Sequence, residues 1–168
     1  MFTRIAATGH FLPAQVVTND DLAARGLDTS DAWIRQRTGI ERRRIAGGGE
    51  TTASMAAAAG REALARAGLE PGAIDAVIVA TTTPDRTFPA TAVEVQAALG
   101  VPPGPAFDLQ AVCSGFVYGL VVADSLIKTG AARRVLLIGA DRFSALLDWT
   151  DRGTCVLFGD GAGAAVPG

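Results

Sequence analysis

One stretch is more informative than any other: Pro105-Ala-Phe-Asp-Leu-Gln-Ala-Val-Cys-Ser-Gly-Phe-Val-Tyr-Gly-Leu120. It predicts a short apolar strand, a turn that contains Cys113, and then a helix. Such a turn presents a side chain at the open end of a sheet, where the free N–H groups and the dipole of the helix stabilise a thiolate. A reactive thiol at this position suits covalent acyl transfer, whereas the alternative is a buried structural cysteine.

The helix predicted after Cys113 is apolar on nearly every face, which is typical of a central, buried helix. Its apolar residues are Phe116, Val117, Tyr118, Leu120, Val121, Val122, Leu126 and Ile127. Hydrophobic residues make up 49% of the 168-residue chain, and that share does not include the 20 glycines. This composition favours a sheet that is covered on both faces, or a large interface.

Strand-like and helix-like segments alternate along the chain, which indicates βαβ units, an α/β fold and a mainly parallel sheet. The predicted strands are Thr3–Thr8, Ala76–Thr82, Ala106–Leu109, Val135–Gly139 and Cys155–Phe158, the last continued after a tight turn by Ala162–Val166. The other predicted helices are Asn19–Arg25, Ser30–Arg37, Thr52–Ala67 and Ala90–Leu99. Thr18 and Thr29 are the expected caps of the first two, and Gly39, Gly68 and Gly100 are expected helix ends.

Charge and composition argue against several classes of protein. The net charge is −2, so no basic surface field attracts nucleic acid. No run of about 18 apolar residues predicts a membrane-spanning helix. The two cysteines, Cys113 and Cys155, form neither a disulfide framework nor a metal site, which favours a reducing cytoplasm.

A second candidate site lies in the segment from Thr29 to Arg44, which has five arginines in ten residues beside Trp33. Arginine binds phosphate through forked hydrogen bonds, and tryptophan stacks on flat bases. The segment therefore indicates a site for a phosphorylated, nucleotide-like ligand. The alternative is a surface helix whose cations lie near its C-terminus, where the helix dipole favours them.

Other polar residues give weaker signals. Gly159-Asp-Gly-Ala-Gly163 superficially resembles a dinucleotide fingerprint, but it opens no visible helix, and a tight turn is favoured. His10, the only histidine, is interpreted as a loop residue rather than as the base for a cysteine nucleophile. Cys155 is interpreted as an inert core thiol. No carboxylate pair or metal-ligand spacing is recognisable among Asp108, Asp141, Asp148 and Asp160.

These motifs together resemble the N-terminal half of β-ketoacyl-acyl-carrier-protein synthase III, a thiolase-fold family that starts type II fatty-acid synthesis. The resemblance runs from residue 1 to 168. Its motifs are Thr29-Ser-Asp-Ala-Trp-Ile, Arg37-Thr-Gly-Ile, Asp108-Leu-Gln-Ala-Val-Cys-Ser-Gly-Phe, Thr150-Asp-Arg-Gly-Thr and Phe158-Gly-Asp-Gly-Ala-Gly-Ala. It implies one thiolase-like domain over residues 1–168, with a five-stranded mixed, mainly parallel sheet, helices on both faces and a buried central helix. The family's C-terminal half is not in this chain.

The resemblance implies that Cys113 is the nucleophile and takes an acetyl group from acetyl-CoA. Malonyl-acyl-carrier protein would then lose CO₂, and its carbanion would attack the thioester to give acetoacetyl-acyl-carrier protein. The backbone N–H of Cys113 would contribute to the oxyanion hole. No cofactor is expected besides acetyl-CoA as substrate, and no metal is expected.

The resemblance also assigns binding residues. Trp33 and Arg152 match the family residues that sandwich the adenine of CoA, and Thr29 and Arg37 match its nucleotide-side contacts. Phe88 matches the residue that reaches into the partner subunit's acyl pocket, which implies a homodimer and a short primer such as acetyl. The binding residues implied for CoA and the acyl chain are Thr29, Trp33, Arg37, Phe88, Arg152 and Phe158.

One departure from the family leaves alternatives open. The family's catalytic His and Asn belong to the second half, and His10 does not match that His. An alternative is a related ketosynthase of secondary metabolism that uses another acyl primer. A second alternative is a non-catalytic half-domain that binds CoA or dimerises, and a third, based on the glycine-rich turn, is a nucleotide-binding module.

Overall fold

The computed structural model describes residues 2–168, in which strands alternate with helices. The strands are β1 (Ile5–Phe11), β2 (Gln15–Thr18), β3 (Arg42–Ile45), β4 (Ala76–Ala80), β5 (Ala106–Leu109), β6 (Val135–Arg142) and β7 (Asp160–Pro167). The helices are α1 (Asn19–Ala24), α2 (Asp31–Thr38), α3 (Thr52–Ala67), α4 (Thr91–Leu99) and α5 (Gly115–Lys128). Short 3₁₀ turns lie at Pro71–Ala73, Val112–Ser114 and Phe143–Ala145.

The main sheet of residues 2–168 has five strands in the order β1-β7-β6-β4-β5. Strand β4 pairs in parallel with both β5 and β6, whereas β7 pairs antiparallel with β6 and with β1. Because β7 alone runs against its four companions, the prediction of a mixed, mainly parallel sheet is confirmed. The carboxyl ends of β4, β5 and β6 meet at one end of the sheet, where α/β proteins usually place their sites.

Helices cover both faces of this sheet because alternate residues of a strand point in opposite directions. On β4, Val77 and Val79 pack against α3 and α4, while Ile78 packs against α5 on the other face. All three side chains are completely buried, and each contributes about 1.5–3 kcal/mol of hydrophobic stabilisation. The predicted two-sided arrangement is therefore confirmed.

The predicted central helix, α5, is buried on one face only in the described chain. Helix α5 packs Gly119, Ala123 and Ile127 against the sheet. Its outer face is apolar but open, since Val117 is 58% exposed and Val121 is 62% exposed. This outer face of α5 stays exposed because no other element of residues 2–168 packs against it. Within the same residues, no helix has both the length and the hydrophobicity needed to cross a membrane.

A second, two-stranded sheet of β2 and β3 was not predicted from the sequence. The two strands pair antiparallel, with Gln15 opposite Ile45 and Thr18 opposite Arg42. The side chains of Val17, Leu22 and Ile34 pack together in a separate apolar cluster that includes Cys155. This cluster joins the two-stranded sheet, α1 and α2 to the segment that precedes β7.

The residues before β7 also differ from the prediction. Residues 155–158 do not form a strand, because their backbone groups are used within successive turns, in which Cys155 N–H donates to the Asp151 carbonyl at 3.0 Å. The glycine-rich segment is likewise not a tight turn between two strands, since β7 runs continuously from Asp160. Cys155 is nevertheless completely buried, and burial raises the pKa of its thiol.

Helix boundaries agree closely with the predicted cap signals. Thr18 caps α1, and its hydroxyl accepts a hydrogen bond from the N–H of Asp21. Helix α3 has the predicted bounds and ends at Gly68, which adopts a left-handed conformation. The predicted cap of α2 is wrong by one residue, because the hydroxyl of Ser30 rather than that of Thr29 accepts a hydrogen bond from the N–H of Trp33 in the first turn.

Candidate active site

Cys113 lies in the turn between β5 and α5, as predicted, and it is exposed. The preceding residue, Val112, has a φ of 47°, a left-handed conformation that is strained for a β-branched side chain. Strain of this kind costs about 1–3 kcal/mol and is concentrated at functional sites. The backbone thus bends sharply just before the candidate nucleophile and directs it out of the sheet.

Cys113 lines a cleft of about 370 Å³ at the carboxyl ends of β4 and β6. The cleft is bordered by Ala80 of β4 and by Phe116 of α5. Gly139 contributes to its floor, where an added Cβ would come within 3.3 Å of the Phe116 ring. An exposed thiol in an open cleft is accessible to an acyl donor and is placed to accept an acyl group from it.

Asp141 also lines this cleft, but it acts as a hydrogen-bond acceptor for a neighbouring loop. Its Oδ1 atom accepts hydrogen bonds from the hydroxyl groups of Thr81, Thr82 and Thr83 and from the N–H of Thr82, at 2.8–3.2 Å. Four donors thus converge on one oxygen of this carboxylate. Asp141 therefore fixes the loop that follows β4 beside Cys113.

The other aspartates named in the sequence analysis also accept hydrogen bonds from neighbouring backbone and hydroxyl groups. Asp108 accepts the first two N–H groups of α4, both at 2.8 Å. Asp160 accepts the N–H of Ala46 and both the N–H and the hydroxyl of Ser144. Asp148 accepts hydrogen bonds from the backbone N–H and the hydroxyl of Thr150. Among residues 2–168, no three His, Cys, Asp or Glu side chains are grouped as a metal ion would require.

His10 lies within β1 rather than in the predicted loop, because β1 extends to Phe11. Its Nδ1 atom is 3.0 Å from the carboxylate of Glu62 on α3, and its side chain is 60% exposed. The backbone N–H of His10 holds the pKa of Glu62 below its ordinary value, and the charge of Arg66 adds to this effect. The structure thus gives the imidazole of His10 a partner on α3.

A second group of predicted residues meets at α2. The guanidinium of Arg37 lies 4.3 Å from the ring centroid of Trp33, and that of Arg152 lies 5.0 Å from it. Both distances are within the range of cation–π attraction. Thr29 lies directly before the helix cap, and its buried hydroxyl oxygen has no hydrogen-bond partner in residues 2–168. Trp33, Arg37 and Arg152 therefore form one cluster, with Thr29 at its edge.

The space between Trp33 and Arg152 is closed in this structure. A flat ring inserted between them needs about 7 Å, because each stacked contact takes about 3.5 Å. Asp28 holds the guanidinium of Arg152 at 5.0 Å from the Trp33 ring centroid. The carbonyl and carboxylate oxygens of Asp28 accept hydrogen bonds from Arg152 Nη1 at 2.6 and 3.2 Å. Insertion of a ring therefore requires Arg152 to move outward by about 2 Å.

The two predicted phenylalanines lie apart from this cluster. Phe88, in the loop before α4, is 81% exposed and is not among the described residues that line the Cys113 cleft. Phe158 stacks on Phe143, with ring centroids 4.3 Å apart and an interplanar angle of 23°. Phe143, in the 3₁₀ turn after β6, was not predicted as the stacking partner of Phe158, because the contact joins residues far apart in the sequence.

Solved structures share this fold over nearly the whole chain. The crystal structure of 3-oxoacyl-[acyl-carrier-protein] synthase III from Aquifex aeolicus is 54% identical, with a TM-score of 0.96, and the match covers 99% of this chain and 53% of that one. The priming β-ketosynthase of the R1128 polyketide pathway also has a TM-score of 0.96, at 40% identity, over 99% of this chain and 50% of that one.

Sequence comparisons agree with the structural ones. Residues 107–167 match the family model of 3-oxoacyl-[acyl-carrier-protein (ACP)] synthase III. The β-ketoacyl-[acyl-carrier-protein] synthase III of Rhodospirillum centenum is 60% identical over 162 residues, 96% of this chain and 50% of the relative. That of Sinorhizobium medicae is 63% identical over 158 residues, 94% of this chain and 49% of the relative.

Fold and site together define a thiolase-like α/β protein with an exposed cysteine at the head of α5. Within that class, the chain is similar to β-ketoacyl-[acyl-carrier-protein] synthase III proteins, at 60–63% identity over 94–96% of its length. It spans about half the length of the curated relatives that it matches.

Proposed function

We propose that this chain carries the acyl-accepting part of a synthase III reaction. In the whole reaction, acetyl-CoA and malonyl-acyl-carrier protein give acetoacetyl-acyl-carrier protein, CO₂ and CoA through an acyl-Cys113 intermediate. The observation that carries the proposal is the exposed Cys113 in its cleft at the carboxyl ends of β4 and β6, at the head of α5. Identity of about 60% to relatives named for this activity supports it.

The first half-reaction is a thioester exchange at Cys113. Its thiolate sulfur attacks the acetyl carbonyl carbon, the new S–C bond forms, and the bond from that carbon to the sulfur of CoA breaks. The proton lost by Cys113 ends on the thiol of CoA. The backbone N–H of Cys113 stabilises the oxyanion of the tetrahedral intermediate, and the strained Val112 holds this N–H and the sulfur in a fixed relation.

CoA binds through the cluster at α2. The adenine ring stacks between Trp33 and Arg152 after Arg152 has moved away from the indole, while Arg37 interacts with the phosphate groups. The hydroxyl of Thr29, which is buried and has no partner in residues 2–168, bonds the nucleotide once the site has opened. No cofactor and no metal take part in the proposed reaction.

The second half-reaction requires groups outside this chain. Decarboxylation of the malonyl thioester is assigned to the His and Asn that the family carries in its other half. We therefore expect the 168-residue chain alone to accept an acetyl group but not to complete the condensation. His10, which bonds Glu62, has no role in this scheme.

A cytoplasmic homodimer completes the proposal. Strand β5 lies at one edge of the sheet, so its outer side is open to pairing with a second copy. Phe88, 81% exposed in the loop before α4, then inserts into the acyl pocket of the other subunit, to which Phe158 belongs. A bulky residue there limits the primer to a short acyl group. The higher identity to synthase III relatives than to the polyketide-priming enzyme favours acetyl over a specialised primer.

Replacement of Trp33 by alanine is expected to weaken CoA binding by about tenfold, because stacking and cation–π attraction together contribute about 1–2 kcal/mol. The alkylation rate of Cys113 should stay unchanged, since that residue lies in a separate cleft. Isothermal titration with CoA and a timed reaction with iodoacetamide measure the two effects.

The matched control for this prediction is Trp149→Ala. Trp149 packs against the same apolar cluster as Trp33, but it contacts Arg25 rather than Arg37 or Arg152. The control should therefore lose packing without losing CoA binding. Equal loss of CoA affinity in both variants would contradict the assignment of Trp33 as a ligand contact.

A further inference from the structure

Arg43, on β3, is buried near the cluster of Trp33, Arg37 and Arg152 and is only 6% exposed. Its Nη1 atom donates to the Val17 carbonyl at 3.2 Å, and its Nη2 atom donates to Asn19 Oδ1 at 2.9 Å and to the Val156 carbonyl at 3.1 Å. Its Nε atom has no acceptor in residues 2–168, and no carboxylate in that range forms an ion pair with it.

A buried guanidinium without a carboxylate partner is unfavourable, because its charge leaves water for three neutral acceptors. An apolar side chain of similar size would fill this space at lower cost. What the guanidinium adds is geometry, since its planar fork places several donors in fixed directions. The acceptors belong to β2, to the first residue of α1 and to the segment before β7.

On one side, Arg43 acts on α2 through Asn19, which is completely buried. The Nδ2 atom of Asn19 donates to Asp31 Oδ1 at 2.9 Å and to the Ile40 carbonyl at 2.8 Å. Asp31 is the first residue of α2, and Ile40 follows the glycine that ends it. Asn19 therefore holds both ends of the helix that carries Trp33 and Arg37.

On the other side, Arg43 holds the segment that carries Arg152. Its acceptor there, the Val156 carbonyl, lies four residues after Arg152 and just after turns closed by hydrogen bonds to the Asp151 carbonyl. The β3 backbone lies directly against this segment, because a Cβ added to Gly159 would be 3.0 Å from Arg43 Cβ and 2.9 Å from the next carbonyl.

We propose that Arg43 is a positioning residue that sets the separation of Trp33 and Arg152. It links the Val156 carbonyl directly to Asn19, and through Asn19 to Asp31 at the start of α2. Both partners of the adenine site are thus fixed to one buried fork. The inference rests on the proposed role of Trp33 and Arg152 in binding CoA.

The test uses Arg43→Met and Arg43→Lys in the 168-residue chain. Methionine removes every donor, and lysine keeps the charge without the planar fork. We expect the CoA dissociation constant to rise at least fivefold in both variants, while the rate at which iodoacetamide modifies Cys113 changes less than twofold. In a Trp149→Phe background, Trp33 is the only tryptophan, and its fluorescence should be quenched more strongly by acrylamide once Arg152 no longer covers it.

The control for loss of stability is Ile127→Ala, which removes a buried side chain of α5 on the opposite face of the sheet. If it lowers the melting temperature as much as the Arg43 variants and retains parental CoA affinity, the effect of Arg43 is specific. Equal loss of affinity in the control would overturn the proposal. The proposal would also be overturned if Arg43→Lys had the same CoA affinity and the same acrylamide quenching of Trp33 as the parent chain. This comparison remains decisive if Arg43→Met does not fold.

Failure of the proposed function gives a different pattern. A folded parent chain that binds no CoA would contradict the role of Trp33 and Arg152 as ligand contacts. Acrylamide quenching of Trp33 would still decide the positioning role. Stronger quenching in the Arg43 variants supports it, and unchanged quenching overturns it.

Discussion

Replacement of Gly9 by alanine is expected to destabilise the fold by about 3 kcal/mol, the upper end of the usual cost of overpacking. An added Cβ on this β1 residue would meet backbone atoms of α3, namely the Ala59 carbonyl oxygen and the Ala63 nitrogen. Backbone atoms cannot rotate away, so α3 has to move from the sheet. For a chain of this size the melting temperature should fall by about 10 °C, as differential scanning calorimetry would measure.

Gly163→Ala is the matched control for Gly9→Ala. Gly163 lies opposite His10 on the neighbouring strand β7, and a Cβ added there meets nothing within 4 Å. Its melting temperature should stay within about 2 °C of the parent, the scale of an ordinary surface substitution. Two variants with the same melting temperature would mean that α3 does not approach β1 as closely as described.

Iodoacetamide is expected to modify Cys113 rapidly in the native chain and to reach Cys155 only on unfolding. Cys113 is exposed, whereas Cys155 is completely buried and burial raises the pKa of its thiol. If Cys155 is reached only by global unfolding of about 5 kcal/mol, its modification is slower by a factor of about 10³ or more. Mass spectrometry of timed, quenched samples measures both rates.

The two cysteine variants separate these thiols. Cys113→Ser should abolish the rapid phase of alkylation, and Cys155→Ala should leave it intact. A rapid phase that persists in Cys113→Ser would show that Cys155 is accessible. In that case the apolar cluster beneath the CoA site is not packed as described.

Local signals were sufficient for the elements that position Cys113. Helix α3 ends at the predicted Gly68, and β5 has the predicted bounds Ala106–Leu109. The strand predicted at residues 155–158 is wrong, since a short apolar run also fits a buried turn. The uniform hydrophobicity of α5 indicated a central, buried helix. Whether another element covers each face of that helix depends on long-range packing, which local hydrophobicity does not reveal.

The candidate site was only partly predictable. Trp33 and Arg37 are four residues apart, so their contact on α2 follows from helix periodicity. The approach of Arg152 to the same ring is a long-range contact, and only the family resemblance indicated it. Arg43 was missed as a buried residue because arginine is rarely buried and because β3 lacks an alternating apolar pattern.

The most direct test of the central claim is the intact mass of the 168-residue chain after incubation with acetyl-CoA, with Cys113→Ser in parallel. We predict a gain of one acetyl group in the parent chain and no gain in Cys113→Ser. The claim that Cys113 accepts the acetyl group from CoA would be contradicted by an adduct that persists in Cys113→Ser. It would also be contradicted by an unmodified parent chain in which iodoacetamide still reaches Cys113.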